Sequence, residues 1–315
     1  MNDLLINVIP LLLLIAFGFA LRRMNYFEES TIKKLTSFVA NVIVPCVIFN
    51  TILNLEIRVD HIVLSASFFL LLAIITVASY VIYKVFHLKR KFFVFFNGVF
   101  SVGLAGISLF SATFGAEHME YMAAITVGHE LFIALIFVTG AKIWLADEKF
   151  NAKTVLKNLR SPLFIMVAIA LVLNLTGWAD AVKANVIGNC VVTAISKLAS
   201  ITTPLTMVII GYLINFKDKS RIKESFLYAG LRILLTFGFG YLLKFLFLDK
   251  VIAPDIYFDY AYFTVIAGFG SAILIALVGQ HGDKEEMEVC SNAYVINVIA
   301  FIAIFVGFVA VVGAV

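Results

Sequence analysis

The sequence predicts an all-α polytopic membrane protein of ten transmembrane helices, arranged as two inverted five-helix repeats with broken crossover helices in spans four and nine. Three observations lead there. Of its 315 residues, 62% are hydrophobic and 14% charged, with a mean hydropathy of +1.03, against roughly 45–50% and about 25% in a soluble globular domain. Ten segments are long and apolar enough to cross a bilayer, which takes about 20 residues. Two of them, NGVFSVGLAGISLFSATFG at 97–115 and AYFTVIAGFGSAILIALVG at 261–279, place glycines where an uninterrupted helix would not want them, at about 1 kcal/mol each relative to alanine.

In chain order the segments fall at about 4–21, 35–54, 62–83, 92–114, 121–143, 162–178, 188–214, 226–247, 257–279 and 288–313. The N-terminal stretch MNDLLINVIPLLLLIAFGFALRR carries its positive charge after the apolar run and has no small-residue cleavage site. It reads as a retained first span. The sixth segment is short, and the seventh is long with Pro204 inside it.

Basic residues set the orientation. With the N-terminus outside, 18 of the 24 Lys and Arg residues fall in inward loops, among them Arg22, Arg23, Lys89, Arg90, Lys149, Lys153, Lys217 and Lys219. Only Arg58, Lys183, Lys244 and Lys250 fall outside, while Lys197 and Arg232 lie within spans. This asymmetry is the positive-inside pattern, and it puts both termini on the non-cytoplasmic side of a cell membrane. A net charge of +4 distributed in this way is no nucleic-acid footprint.

The two halves align in order. Pro10 and its apolar run match Pro162 at an offset of 152 residues, Pro45 matches Pro204 at 159, Gly106 and Gly115 match Gly270 and Gly279 at 164, and Met119-Glu120 matches Met287-Glu288 at 168. The drift runs one way, as loop insertions produce. Five spans is an odd number, so the second copy is inserted upside down. Glycine breaks in spans four and nine then predict two discontinuous helices meeting near the bilayer midplane.

Several of these motifs resemble the auxin efflux carrier family, whose bacterial members include malate- and malonate-type permeases. They are the proline of span one followed by Gly18 and the basic pair Arg22-Arg23, then ANVIVPCVIF at 40–49 and VGLAGISLF at 102–110. The resemblance implies ten spans divided between a scaffold that usually dimerises and a mobile transport unit. On this chain that assigns 1–60 to scaffold helices one and two, 61–145 to transport-unit helices three to five, 146–215 to the cytoplasmic loop and scaffold helices six and seven, and 216–315 to transport-unit helices eight to ten. In one respect the chain departs from the family, which usually carries proline in both crossovers. Here stand Gly106-Ile107-Ser108 and Gly270-Ser271-Ala272.

Candidate site residues follow from the breaks. Gly103, Gly106, Gly268 and Gly270 are expected to open the backbone so that half-helix N-termini, each carrying about half a positive charge, face an anion; the ordinary alternative is close packing through small residues. Ser108 and Ser271 would add hydroxyl donors, unless they bond to their own backbone. Asn41, four residues before Pro45, shares its helical side and is a further substrate candidate. Pro45 and Pro204 are assigned to helix geometry as structural breaks, and Asn97 and Asn292 to helix-interface contacts. Glu130, in the middle of span five, costs roughly 2.5–3.5 kcal/mol to insert and with adjoining His129 is the candidate coupling group. Its ordinary alternative is a buried ion pair, and that of His129 a satisfied core histidine. Lys197 and Arg232 read as long stems that snorkel to the interface.

Enzyme signatures are lacking. His61, His87, His118, His129 and His281 make no metal spacing, and Cys46, Cys190 and Cys290 are far apart in apolar spans; no metal, cofactor or nucleotide domain is expected. The reading is a secondary active transporter of small organic anions, carboxylates such as malate and malonate or auxin-like acids. An elevator type of alternating access is implied by the resemblance. Its partners are that anion, H⁺ or Na⁺ as coupling ion, the lipid bilayer and a second copy of the chain. The alternatives are a Na⁺-coupled symporter of the bile-acid type and a non-transporting membrane sensor on the same fold.

Overall fold

The computed structural model describes residues 2–54, 58–146, 160, 162–214 and 221–312. Most of the predicted inward loop at about 144–161, with Lys149, Lys153 and Lys157, and the basic pair Lys217 and Lys219 lie outside these residues. Every regular element among the described residues is helical. In chain order the principal ones are α1 (Asn2–Arg23), α2 (Glu29–Leu53), α3 (Val59–Val85), α4 (Phe93–Phe96), α5 (102–114), α6 (Glu120–Leu145), α7 (Pro162–Leu175), α8 (Trp178–Ala184), α9 (Val186–Leu213), α10 (Ile222–Val251), α11 (Ile256–Ile266), α12 (Ala272–His281) and α13 (Lys284–Val312).

Six of these, α2, α3, α6, α9, α10 and α13, are long and apolar enough to cross a membrane. The pair α7 and α8, bent by 97° where they meet, makes a seventh if it counts as one span. Segments four and nine of the sequence are each two helices with a gap between. α4 and α5 are separated by 97–101, and α11 and α12 by 267–271.

Local sequence explains several of these ends. α2 takes a wide π-type turn over Val39–Ile43 directly before Pro45. Proline has no N–H to return to the carbonyl four residues earlier, and the widened turn carries the chain past that lost bond without ending the helix. In α9 the first stretch stops at Ser200, and Pro204 sits in the first turn of the helix that resumes at Thr202, where a missing N–H costs nothing. The Asn185 side chain caps α9 by accepting from the N–H groups of Ile187 and Gly188 at 3.0 and 3.1 Å. Asp255 caps α11 in the same way through Tyr257, at 2.7 Å.

α1, α2, α7 and α9 pack on one another, while α3, α6, α10, α11 and α13 surround the two gaps. α1 and α9 touch backbone to backbone. A Cβ on Gly18 would stand 2.1 Å from the Val208 carbonyl oxygen, and one on Gly211 would stand 1.9 Å from that of Ile15, the small-residue crossing that lets helices associate without a hydrophobic drive. Leu13, Val77, Leu234 and Phe245 point outward, an apolar exterior that water would not favour and lipid does.

Polar clusters close both ends of the second group. Arg58 pairs with Asp60 at 3.1 Å and Glu120 at 3.6 Å and donates to the Tyr121 hydroxyl, which donates to Asp255. At the opposite ends of these helices Arg90 reaches Glu224 at 2.7 Å and Glu285 at 3.1 Å, and Arg221 bonds to Glu285 as well. The Glu224 carboxylate, accepting from Arg90, raises that guanidinium's pKa above its ordinary value. The gaps are thus held inside a frame tied at top and bottom.

Candidate functional site

The two gaps meet. The Ser101 N–H donates to the Phe269 carbonyl at 2.8 Å, joining 97–101 to 267–271. The Phe100 N–H donates to His129 Nε2 at 3.1 Å. Because Nε2 accepts, the ring proton sits on Nδ1, and Nδ1 lies 3.1 Å from Glu130 Oε1. A chain of hydrogen bonds therefore runs from the backbone of the first gap through His129 to the Glu130 carboxylate.

Arg232 supplies the other tie. Its guanidinium donates to the carbonyls of Phe96 and of Val99, the latter at 2.8 Å, and to that of Gly268 at 3.2 Å. It is 1% exposed and lies over the rings of Phe96 and Phe100 at 5.4 and 4.9 Å. Contrary to the expectation from its position in the span, it does not snorkel. Residue 232 is midway along the run Ile222–Leu243, too far inside for its stem to reach either end. Lys197, by contrast, is exposed.

The second break falls where its glycines were expected to place it, and the first does not. Gly103 and Gly106 lie in the helical turn Val102–Gly106 that follows the first gap, whereas Gly268 and Gly270 lie within the second. The glycine that the first gap requires is Gly98. A Cβ there would stand 2.0 Å from Thr76 Oγ1 and 3.3 Å from the Leu72 carbonyl oxygen of α3. Next to it the Asn97 amide donates to Ser79 Oγ at 2.9 Å and to the Phe93 carbonyl at 3.1 Å. The N–H groups of Ala105 and Gly106 both return to the Ser101 carbonyl, so α5 opens with an unusually wide turn. Its first N–H groups have no partner within the helix.

The remaining candidates divide. The turn Val39–Ile43, which carries Asn41, lies against Val102–Gly106, so α2 is brought to the start of α5. The Asn41 amide itself donates back to Ser37 at 2.9 Å. Ser108 is fully buried one turn into α5; its carbonyl accepts from Thr203 of α9 at 3.3 Å, and its hydroxyl has no partner among the described residues. Ser271 caps α12, its oxygen accepting from Ile273 N–H at 3.2 Å. Glu130 is half-buried and lines a cavity of about 10 Å³ with Thr126, Val127, Leu163, Phe164 and Val167, room for about one water. That cavity lies between α6 and α7. No group of three or more His, Cys, Asp or Glu side chains among the described residues could hold a metal ion.

Residues 3–151 match the family described as membrane transport protein. This match spans a little under half of the chain and supports its resemblance to the auxin efflux carrier family. No curated protein matches the chain. With the long apolar helices, the match supports a multi-pass membrane protein of transporter type. It takes in the first gap, His129 and Glu130, and stops short of Arg232 and the second gap. The sequence marks Asn97 and Gly98 as part of the interrupted stretch and nominates His129 and Glu130; it does not single out Arg232 as the group that ties the two gaps together. The available signal was a lone arginine near the centre of an apolar helix.

Proposed function

We propose that the protein is a secondary active transporter of small carboxylates, binding its substrate where the two interrupted helices meet and coupling transport to protons through Glu130. One observation carries the reading: two broken helices joined at Ser101 and Phe269, with the helices that leave the gaps, α5 and α12, starting within a few residues of that bond. Each helix start carries about half a positive charge and orphan N–H donors. Two together suit a carboxylate without a buried lysine. Ser108 and Ser271 hydroxyls and the Asn41 turn of α2 supply further polar contacts, and Gly103, Gly106, Gly268 and Gly270 keep side chains from crowding the approach.

Glu130 is the coupling group in this scheme. It is half-buried beside a water-sized cavity, so a proton can reach it, and its partner His129 holds the Phe100 N–H. A proton taken up by the pair weakens that hold: an imidazolium has no lone pair on Nε2 to accept with, and a neutral carboxyl supports the Nδ1–H less well. Protonation is thereby felt by the backbone at the substrate site.

The heavier packing of α1, α2, α7 and α9 on one another than on the helices around the gaps supports a division into scaffold and moving unit, and with it an elevator motion of two inverted five-helix repeats. The basic residues favour both termini outside. The scaffold would carry a dimer contact.

The test is uptake of labelled malate and malonate into proteoliposomes under imposed pH, Na⁺ and potential gradients. Saturable uptake driven by the pH gradient is expected, with the drive lost in Glu130→Gln. Absence of uptake of either acid by folded protein would overturn the dicarboxylate reading, and equal gradient dependence in the variant would reduce Glu130 to a structural acid.

A further inference from the structure

We infer that the Arg232 guanidinium is a built-in cation filling the carbonyl site that a coupling Na⁺ would otherwise take at the crossing of the broken helices, so that the crossover is assembled without a metal ion. In transporters with discontinuous helices, unwound carbonyls and half-helix C-terminal ends are the groups that coordinate Na⁺. Here three such carbonyls, of Phe96, Val99 and Gly268, drawn from both gaps, converge on one guanidinium.

Charge balance points the same way. The C-terminus of α11 carries about half a negative charge, and the carbonyls of Phe96, at the end of the single turn α4, and of Val99 add their own dipoles. One guanidinium faces them all. Among the described residues no carboxylate lies within ion-pair distance of Arg232, so the backbone alone compensates this buried charge. Phe96 and Phe100 cover it. A guanidinium is suited to this place by its planar fork, which reaches carbonyls on two helices at once, and by hydration weaker than that of an ammonium. With the negative helix ends satisfied from within, the start of α5, and that of α12 beyond the one N–H that Ser271 caps, are left to an anion.

The consequence for flux rests on the transport reading, but the assembly of the crossover does not, so the deciding measurement needs no substrate. Melting temperatures of the full-length protein in detergent are compared in matched sodium, choline and millimolar guanidinium chloride for wild type, Arg232→Ala and Arg232→Lys. Wild type is expected to melt at the same temperature in sodium and choline. Arg232→Ala is expected to melt several degrees lower and to regain most of the loss in sodium or guanidinium. A sodium response of the wild type, or an alanine variant as stable as wild type or helped by neither cation, overturns the inference. Should the alanine variant not fold, Arg232→Lys decides: indifference to sodium supports a filled site, and stabilisation by sodium contradicts it. In proteoliposomes, flux equal in sodium and choline media is the matching result. An absence of flux would count against the transport reading and leave the melting results in force.

Discussion

The gaps at 97–101 and 267–271 arise from similar glycine-bearing stretches, yet they are held unequally. The first is gripped from three sides: Asn97 by Ser79, Phe100 by His129, and its carbonyls by Arg232. The second receives one bond from Ser101, one from Arg232, and the Ser271 cap. Asn297, which aligning the two halves places opposite His129, donates among the described residues to the Ala293 carbonyl of its own helix at 3.0 Å. Each half of the chain supplies a broken helix, and the chemistry that distinguishes the two sits on the partner helices. His129 touches one gap and not the other.

The largest effect should come from removing what the gaps share. Arg232→Leu strands three buried carbonyls and is expected to cost on the order of 3–5 kcal/mol, read as a large fall in melting temperature and in yield of folded protein.

Next come substitutions that separate the gaps. Gly98→Ala drives a methyl into Thr76 and should cost about 1–3 kcal/mol. Gly270→Ala meets Phe96, its ring at 3.5 Å and its carbonyl oxygen at 3.7 Å, both ordinary contacts, and should stay within about 0.5 kcal/mol of wild type. Comparable losses at both positions would erase the contrast. His129→Leu leaves the Phe100 N–H without its acceptor, a loss of about 1–3 kcal/mol. Asn297→Leu removes a bond within one helix and should cost about 1 kcal/mol or less. Both are read by thermal unfolding in detergent.

Glu130→Gln should move stability least, by about 0.5 kcal/mol or less, because the amide oxygen can still accept from His129 Nδ1. What it should abolish is the response of uptake to a pH gradient. A variant that melts much lower would make the acid a structural support.

The all-helical, membrane-spanning character of the chain and the neighbourhood of both breaks were legible in the sequence, because hydropathy and glycine spacing are local signals; six or seven of the helices have the length and hydropathy of a span. Glu130 was legible too, as an acid where insertion is costly. The exact site of the first gap was not. Glycine marks both a broken backbone and a close helix contact, and only the Thr76 contact, 22 residues before Gly98, tells them apart. What Arg232 binds was illegible for a different reason. Its acceptors are main-chain carbonyls 133 and 136 residues before it, and a carbonyl belongs to every residue type. The His129 bond to Phe100 N–H is hidden in the same way, so the residue could be nominated but not its target.

The unequal grip on the two gaps is tested most directly by hydrogen exchange of the intact protein in lipid nanodiscs, following peptides over 97–102 and 267–271 across pH and correcting for intrinsic exchange. Exchange at 97–102 is expected to rise as the His129–Glu130 pair takes up a proton, while 267–271 stays level and Glu130→Gln flattens the response. Equal pH dependence in both segments, or an unchanged response in the variant, would contradict the account.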